Sequence, residues 1–164
     1  MLEMGVIEPS HSEWCSPVVL VPKKDGGLRF CLDFSKLNSI SAFDPYPMPC
    51  VDEMVESLAK AQFLSTLDLC KGYWHVPLSP QAQELTAFRA PPGLFQFRTM
   101  PFDLHGDAAT FQHLVDKVLR GAEDNAATYI DDKVIHSATW AEHLLHLSNV
   151  FQRICQAGLV VNDQ

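Results

Sequence analysis

Adjacent carboxylates are the residues of this chain whose types and spacing could do chemistry. Asp131 and Asp132 follow a short β-type run, residues 127–130, and precede a second one, so the pattern predicts a hairpin with an acidic tip. A third carboxylate, Asp68, comes at the end of another apolar run. Two neighbouring Asp residues repel each other, and a cation or solvent must screen them.

Carboxylates on neighbouring strands of one sheet can hold two divalent cations about 3.5–4 Å apart, the arrangement used for in-line phosphoryl transfer. Oxygen ligands of this kind suit Mg²⁺. The alternative is a plain one, because an Asp-Asp pair in a loop is often a solvated turn. On these residues alone, both interpretations stay open.

Length and composition indicate one globular domain with a core. The chain has 164 residues, of which 47% are hydrophobic and 20% are charged. No apolar run approaches the ~20 residues of a membrane span, and residues 1–5 lack the basic and apolar regions of a signal peptide. We therefore expect an intracellular protein, cytoplasmic or nuclear, with no membrane partner.

Cysteine usage and net charge limit the function classes. The cysteines stand at positions 15, 31, 50, 70 and 155 and form no Cys-x-x-Cys pair, which disfavours a zinc site or a disulfide framework. The net charge of −8 counts against strong nucleic-acid binding by this chain alone. Basic residues do cluster near the N-terminus, at Lys23, Lys24, Arg29 and Lys36.

Hydrophobic periodicity and turn residues predict interleaved strands and helices, which is an α+β fold. Strands are predicted at 16–21, 28–32, 63–69, 73–78, 85–89, 94–98 and 127–135 (the acidic hairpin), with a last one starting at 159. Helices are predicted at 51–61, 107–119 and 139–157, with another opening at Ser79-Pro80, and residues 33–38 are predicted as a short helix or turn. Asp107 is the predicted N-cap of the helix at 107–119, and Gly158 the predicted stop of the last helix.

A histidine pair offers a weaker metal candidate. His143 and His146 are spaced i, i+3 on the last predicted helix, beside Glu142. A metal would need a third ligand and none is evident, so we interpret the pair as part of a solvated helix face. Ser, His and Asp occur without a nucleophile elbow, which leaves hydrolase chemistry unsupported.

Taken in order, the motifs resemble the reverse transcriptases of long-terminal-repeat retroelements, closest to gypsy-type retrotransposons. The matching segments cover nearly the whole chain, and they are SPVVLVPKKDGGLRF, DFSKLN, YPMP, FLSTLDLCKGYWHVPLSP, TAF, GLFQF, MPF, ATFQ, YIDD, EHL and AGL. Each motif is weak by itself, but the ordered set is specific.

The resemblance implies an RNA-directed DNA polymerase of right-hand architecture. Residues 1–164 would form a partial reverse transcriptase domain in which fingers and palm are intermixed, truncated before the thumb. The palm would be an antiparallel sheet backed by helices. The full polyprotein of such an element usually adds ribonuclease H and integrase.

The same resemblance assigns site residues. Asp68, Asp131 and Asp132 would be catalytic and would hold two Mg²⁺ ions, or Mn²⁺ in their place, with the Leu69 backbone beside them. Nucleotide binding would involve the residues Lys24, Arg29, Leu69, Tyr73 and Phe102. The implied partners are an RNA or DNA template with its primer and deoxynucleoside triphosphates. Without the resemblance, Tyr73 would be predicted as a core aromatic.

Three positions depart from the family pattern. Asp103 stands at the glycine of the usual Met-Pro-Phe-Gly motif, where a carboxylate would repel triphosphate and a Cβ would strain the backbone. Asp107-Ala108 replaces a small residue and proline, and Lys133 replaces an aliphatic residue. Lys133 would either bury its charge or pair with a carboxylate. The alternative function is therefore a catalytically silent retroelement relic or interaction module, and we expect little primer extension from the isolated chain.

Overall fold

The structure is a computed structural model with two compact units that alternate along the chain. One unit comprises Met1–Phe43 and Tyr73–Asp107, and the other comprises Asp44–Gly72 and Ala108–Gln164. The described residues are 1–162 without Asp25, Phe43, Met48, Cys70, Lys71, Ile130 and Asp131, and with the backbone alone for Tyr129 and Asp132.

The strands and helices interleave as the α+β prediction requires. Strands β1 to β8 are Ile7–Pro9, Val18–Pro22, Leu28–Leu32, Phe63–Asp68, Phe88–Ala90, Gly93–Phe97, Ala126–Tyr129 and Asp132–Ser137. Helices α1 to α5 are Ser35–Asn38, Val51–Leu58, Pro80–Leu85, Asp107–Val118 and Trp140–Gln156. No helix in the described part of the chain is long and apolar enough to cross a membrane.

The first unit contains two antiparallel hairpins. Strands β2 and β3 pair from Val18 opposite Leu32 to Pro22 opposite Leu28, which confirms the predicted basic hairpin. Its turn is closed by the Lys23 N–H, which donates to the Gly27 carbonyl at 2.7 Å. The predicted Asp-Gly turn residue Asp25 lies outside the described residues.

A three-stranded sheet in the order β1-β6-β5 completes the first unit. The β5–β6 hairpin confirms the second predicted one, although β5 begins only at Phe88. Helix α3 opens at Pro80 after Ser79, whose hydroxyl accepts from the Ala82 N–H, as predicted. The buried core of this unit consists of Val6, Leu32, Phe34, Leu37, Phe88, Phe95 and Phe97.

The predicted strand at 73–78 is wrong. Gly72–His75 form a 3₁₀ helix instead, and residues 76–78 carry only the isolated bridge between Pro77 and Thr99. The β-type composition comes from aromatic side chains, and packing decides their conformation because β-propensity is weak and context-dependent. Tyr73 is 7% exposed, and its ring meets that of Phe102 edge-on, with centroids 5.0 Å apart.

The second unit is built on an antiparallel sheet in the order β4-β8-β7. Burial alternates along β4, so one face of the sheet is covered and the other is open. Helix α5 buries His143, Val150 and Ile154. Its predicted ends are confirmed, because Thr139 forms a capping box with Glu142, and Gly158 follows the helix at φ 71°.

Close packing also fixes the glycine that precedes Tyr73. A Cβ added to Gly72 would lie 2.4 Å from Cζ of Phe111, a buried residue of α4. No side chain fits at that distance, so the chain can pass α4 here only as glycine.

Candidate active site

Two of the predicted carboxylate positions come together through strand register. Strand β4 ends at Asp68 and β8 begins at Asp132, and the antiparallel ladder pairs these two residues directly. Directly paired Cα atoms in such a ladder are about 4.5–5.5 Å apart. On its other side, Asp132 pairs with Tyr129 of β7. Asp131, the remaining predicted ligand, lies outside the described residues, as does the Asp132 side chain.

The Asp68 carboxylate is exposed, and it contacts Asn162 of residues 159–162, which we call the C-terminal segment. Asn162 donates from Nδ2 to Asp68 Oδ2 at 3.3 Å, and its backbone N–H donates to the Asp68 carbonyl at 2.8 Å. Leu69, which follows Asp68, and Val161, which precedes Asn162, form an antiparallel bridge. The Leu69 side chain is buried. Sequence reasoning missed Asn162, since nothing in its local pattern marks a contact 94 positions away.

The carboxylate residues at the end of β4 and the start of β8 suit a hard divalent cation. Asp68 offers an exposed carboxylate at a strand end, beside a second carboxylate residue in the ladder. Among the residues whose side chains are described, no group of three or more His, Cys, Asp or Glu could hold a metal. A site with several protein ligands here therefore needs Asp131 or Asp132.

Lys133, one of the departures from the family pattern, is 1% exposed, so its predicted burial is confirmed. The other predicted outcome, a pair with a carboxylate, stays a prediction, because Asp131 and the Asp132 side chain lie outside the described residues. It pairs with Leu67 and Thr128 in the two ladders. Its Nζ lies 4.8 Å from the centroid of the Phe111 ring, which places the ammonium against the negative face of an aromatic side chain.

The first unit has a pocket of 500 Å³ that contains two of the predicted nucleotide-binding residues. Arg29 and Phe102 line it, together with Trp74 and Asp103. Phe102 is 47% exposed and rests on the buried Tyr73 ring. The pocket thus combines a guanidinium, an accessible aromatic face and a carboxylate.

Lys24 lies in a second pocket of the same unit, of 510 Å³, which is lined by Lys23, Lys24 and Arg29 together with Val21 and Pro22. All three basic side chains are exposed. Arg29 therefore borders both pockets, and Lys24 only the second.

Asp103 adopts a backbone conformation that favours glycine. Its φ is 69°, the one positive value at a non-glycine position among the described residues. Its N–H donates to Asp107 Oδ2 at 3.1 Å, and its carbonyl accepts from Asn38 Nδ2 at 2.9 Å. The predicted N-cap role of Asp107 is wrong, because Asp107 is the first helical residue of α4 and its carboxylate holds the preceding loop.

The predicted solvated face for the histidine pair is wrong at His143. This ring is 1% exposed, and it bonds through Nε2 to the Ser65 hydroxyl at 2.9 Å and through Nδ1 to that of Ser137 at 3.1 Å. His146 is half-buried and bonds to the same Ser137 hydroxyl at 2.7 Å. The spacing of His143 with Val150 and Ile154 on one helix face is the signal that could have revealed its burial.

The far end of β8 carries a titrating group. Burial and the neighbouring His146 lower the pKa of His136. Elsewhere in the second unit, the Tyr46 hydroxyl donates to Asp116 Oδ2 at 2.7 Å, and this bond raises the pKa of the tyrosine. That contact fastens the proline-rich segment 44–47 to α4.

Comparison with known proteins agrees with this geometry. The family model described as "Reverse transcriptase (RNA-dependent DNA polymerase)" matches residues 21–164. The mixed helix and antiparallel-sheet fold is thus part of a reverse transcriptase domain. The chain belongs to the reverse transcriptase family.

The sequence relatives are retrotransposon polyproteins. The Drosophila melanogaster protein "Retrovirus-related Pol polyprotein from transposon 297" is 35% identical over 97% of this chain. The corresponding polyprotein from transposon gypsy is 33% identical over 100% of the chain, and the Schizosaccharomyces pombe "Transposon Tf2-3 polyprotein" is 32% identical over 99%. The chain spans only 16%, 16% and 12% of those polyproteins, respectively.

Solved structures of a foamy viral protease-reverse transcriptase share the fold. The complex with double-stranded DNA superposes with a TM-score of 0.89 at 27% identity, covering 98% of this chain and 28% of that one. The complex with RNA/DNA hybrid gives 0.90 at 27% identity, covering 98% and 22%.

Proposed function

We propose that this chain carries the metal-binding and nucleotide-binding residues of an RNA-directed DNA polymerase encoded by a gypsy-type retrotransposon. The observation that supports this most strongly is the direct pairing of Asp68 with Asp132 between β4 and β8. It brings two of the three predicted carboxylate residues together at the same end of two neighbouring strands. In this proposal residues 1–164 are intermixed fingers and palm, and the thumb follows them in the polyprotein.

Asp68, Asp131 and Asp132 are the proposed ligands of two Mg²⁺ ions, with Mn²⁺ as a substitute and the Leu69 backbone beside them. When bound, the ions would activate the primer 3′-hydroxyl and neutralise charge on the triphosphate. Asp68 suits this role because its carboxylate is exposed and sits at the end of β4.

The proposed nucleotide-binding residues contribute charge and shape. The planar fork of Arg29 suits phosphate oxygens, and the Lys24 ammonium adds a point charge on the same hairpin. Tyr73 and Phe102 pack edge-on, so the buried tyrosine fixes the exposed ring that lines the 500 Å³ pocket. We assign Tyr73 to the position beneath the sugar of a deoxynucleoside triphosphate and Phe102 to the lining of its pocket.

A template with its primer is the proposed macromolecular partner. The solved relatives hold double-stranded DNA and RNA/DNA hybrid. The isolated chain carries a net charge of −8, which opposes binding of a polyanion, and we propose that other segments of the polyprotein supply duplex grip.

A second candidate is a catalytically silent relic or interaction module. The observation in its favour is Asp103, whose carboxylate borders the same pocket as Arg29 and Phe102. A negative charge there repels a triphosphate and competes with it for the guanidinium. Such a protein would have the reverse transcriptase fold without polymerase activity.

Primer extension on an RNA template tests the proposal. The chain would be joined to the segment that follows the matching region in the transposon 297 polyprotein, so that the fusion can bind the template–primer duplex. We expect template-dependent extension that is lost in Asp131→Asn and kept in Asp124→Asn, a matched change at an exposed carboxylate of the same unit. Absence of extension in a folded fusion that binds the duplex would favour the silent relic.

A further inference from the structure

We propose that Asn162 is a positioning residue that holds the Asp68 carboxylate for metal binding. This inference rests on the proposed function of Asp68. Asn162 grips that residue twice, by its backbone N–H on the Asp68 carbonyl at 2.8 Å and by its Nδ2 on the carboxylate Oδ2 at 3.3 Å. Both bonds come from a segment that the linear sequence keeps remote.

The geometry leaves one carboxylate oxygen for a cation. Asp68 is exposed, so its side chain would otherwise rotate among several rotamers in water. An amide that donates to Oδ2 selects one of these rotamers, and no described side chain bonds to Oδ1. An amide is suited to this task, because it carries no charge that would repel a divalent ion.

The side-chain contact is separable from the backbone contact. The bridge between Leu69 and Val161 and the Asn162 backbone N–H already attach the C-terminal segment to the end of β4. Removal of the amide side chain keeps both of these backbone contacts. The amide of Asn162 therefore acts on the orientation of the carboxylate, with little effect on the fold.

A double-mutant cycle on Mn²⁺ binding tests this role. The probe is Mn²⁺ alone, titrated into the 164-residue chain and followed by the electron paramagnetic resonance signal of the unbound ion. The variants are Asn162→Ala, Asp68→Asn and the pair together. Asn149→Ala is the matched control, because Asn149 is exposed on α5 and bonds to Arg153. Metal-free thermal melts accompany each titration.

Loss of an outer-shell partner typically weakens metal binding by about 10–100-fold. For this longer bond we expect about tenfold weaker Mn²⁺ binding in Asn162→Ala, with an unchanged metal-free melting temperature. In the Asp68→Asn background the same substitution should have no further effect, since it acts through that carboxylate. Asn149→Ala should bind Mn²⁺ like the wild type.

Two results would overturn the positioning role alone. One is wild-type affinity in Asn162→Ala while Asp68→Asn binds weakly, and the other is an equal loss from Asn162→Ala in both backgrounds. Wild-type affinity in Asp68→Asn would instead refute the proposed metal role of Asp68, and the positioning role with it.

Discussion

Lys133 and Phe111 form a buried cation–π contact, with Nζ 4.8 Å from the ring centroid and the lysine 1% exposed. The contact joins the strand that begins at Asp132 to helix α4. A desolvated contact of this kind contributes about 2 kcal/mol, which offsets part of the cost of taking an ammonium out of water.

We expect Lys133→Ala to lower the free energy of unfolding by about 2–3 kcal/mol, because removal of this buried side chain leaves a cavity. Lys133→Met keeps most of the buried volume and should lower the free energy of unfolding by less. Urea unfolding measures both. A methionine variant as unstable as the alanine variant would show that the ammonium, and not the packed volume, provides the stability.

The buried His143 ring makes a second prediction about stability. It bonds to Ser65 on β4 and Ser137 on β8, so it fastens α5 to both strands. We expect His143→Ala to lower the free energy of unfolding by about 2–4 kcal/mol, since it leaves a cavity and removes a hydrogen-bond partner from Ser65 and from Ser137, which keeps His146. His11→Ala, at an exposed position, is the control and should change little. Equal melting of the two variants would contradict the buried contacts.

Asp103 combines an unfavourable backbone conformation with an unfavourable charge, and two substitutions separate these effects. Asp103→Gly should stabilise the chain by about 1 kcal/mol, because φ 69° suits glycine. Asp103→Ala keeps the strain and should not stabilise. Both remove the charge, so both should improve triphosphate binding, measured by fluorescence of a labelled nucleotide. Binding unchanged in both variants would show that the carboxylate does not affect the pocket.

The lowered pKa of His136 predicts a pH dependence of stability. Burial and repulsion from His146 disfavour its protonated form in the folded state, so below the ordinary pKa of 6.5 the unfolded chain binds more protons. Stability should therefore fall as the pH drops from about 6.5 through the folded-state pKa, and His136→Gln should reduce that slope. Urea unfolding at several pH values tests this, with His11→Gln as control. An identical slope in wild type and His136→Gln would refute it.

Local sequence signals were enough to predict elements whose ends carry their own chemistry. The glycine at position 158 predicted the end of α5, and its φ is in the left-handed region as expected. Ser79-Pro80 predicted the start of α3. The hairpin of β7 and β8 was also predictable, because a short turn dictates antiparallel pairing of the two strands it joins. The position of Asp68 on the strand next to β8 was implied only by the family resemblance.

Features set by tertiary packing could not be read from the same signals. The 3₁₀ helix at Tyr73 forms because the aromatic rings pack there, against their β-type preference. Asn162 reaches Asp68 across 94 positions, and no local pattern encodes such a distance. Lys133 was noticed only because an aliphatic residue was expected in its place.

A crystal of the chain grown with Mn²⁺ tests the central claim most directly, through anomalous diffraction at the manganese edge. We expect a peak where β4 ends, within coordinating distance of carboxylate oxygens from both Asp68 and Asp131. Asp68 and Asp131 side chains too far apart to share one ion, or manganese bound only elsewhere, would contradict the assignment of these carboxylates as a polymerase metal site.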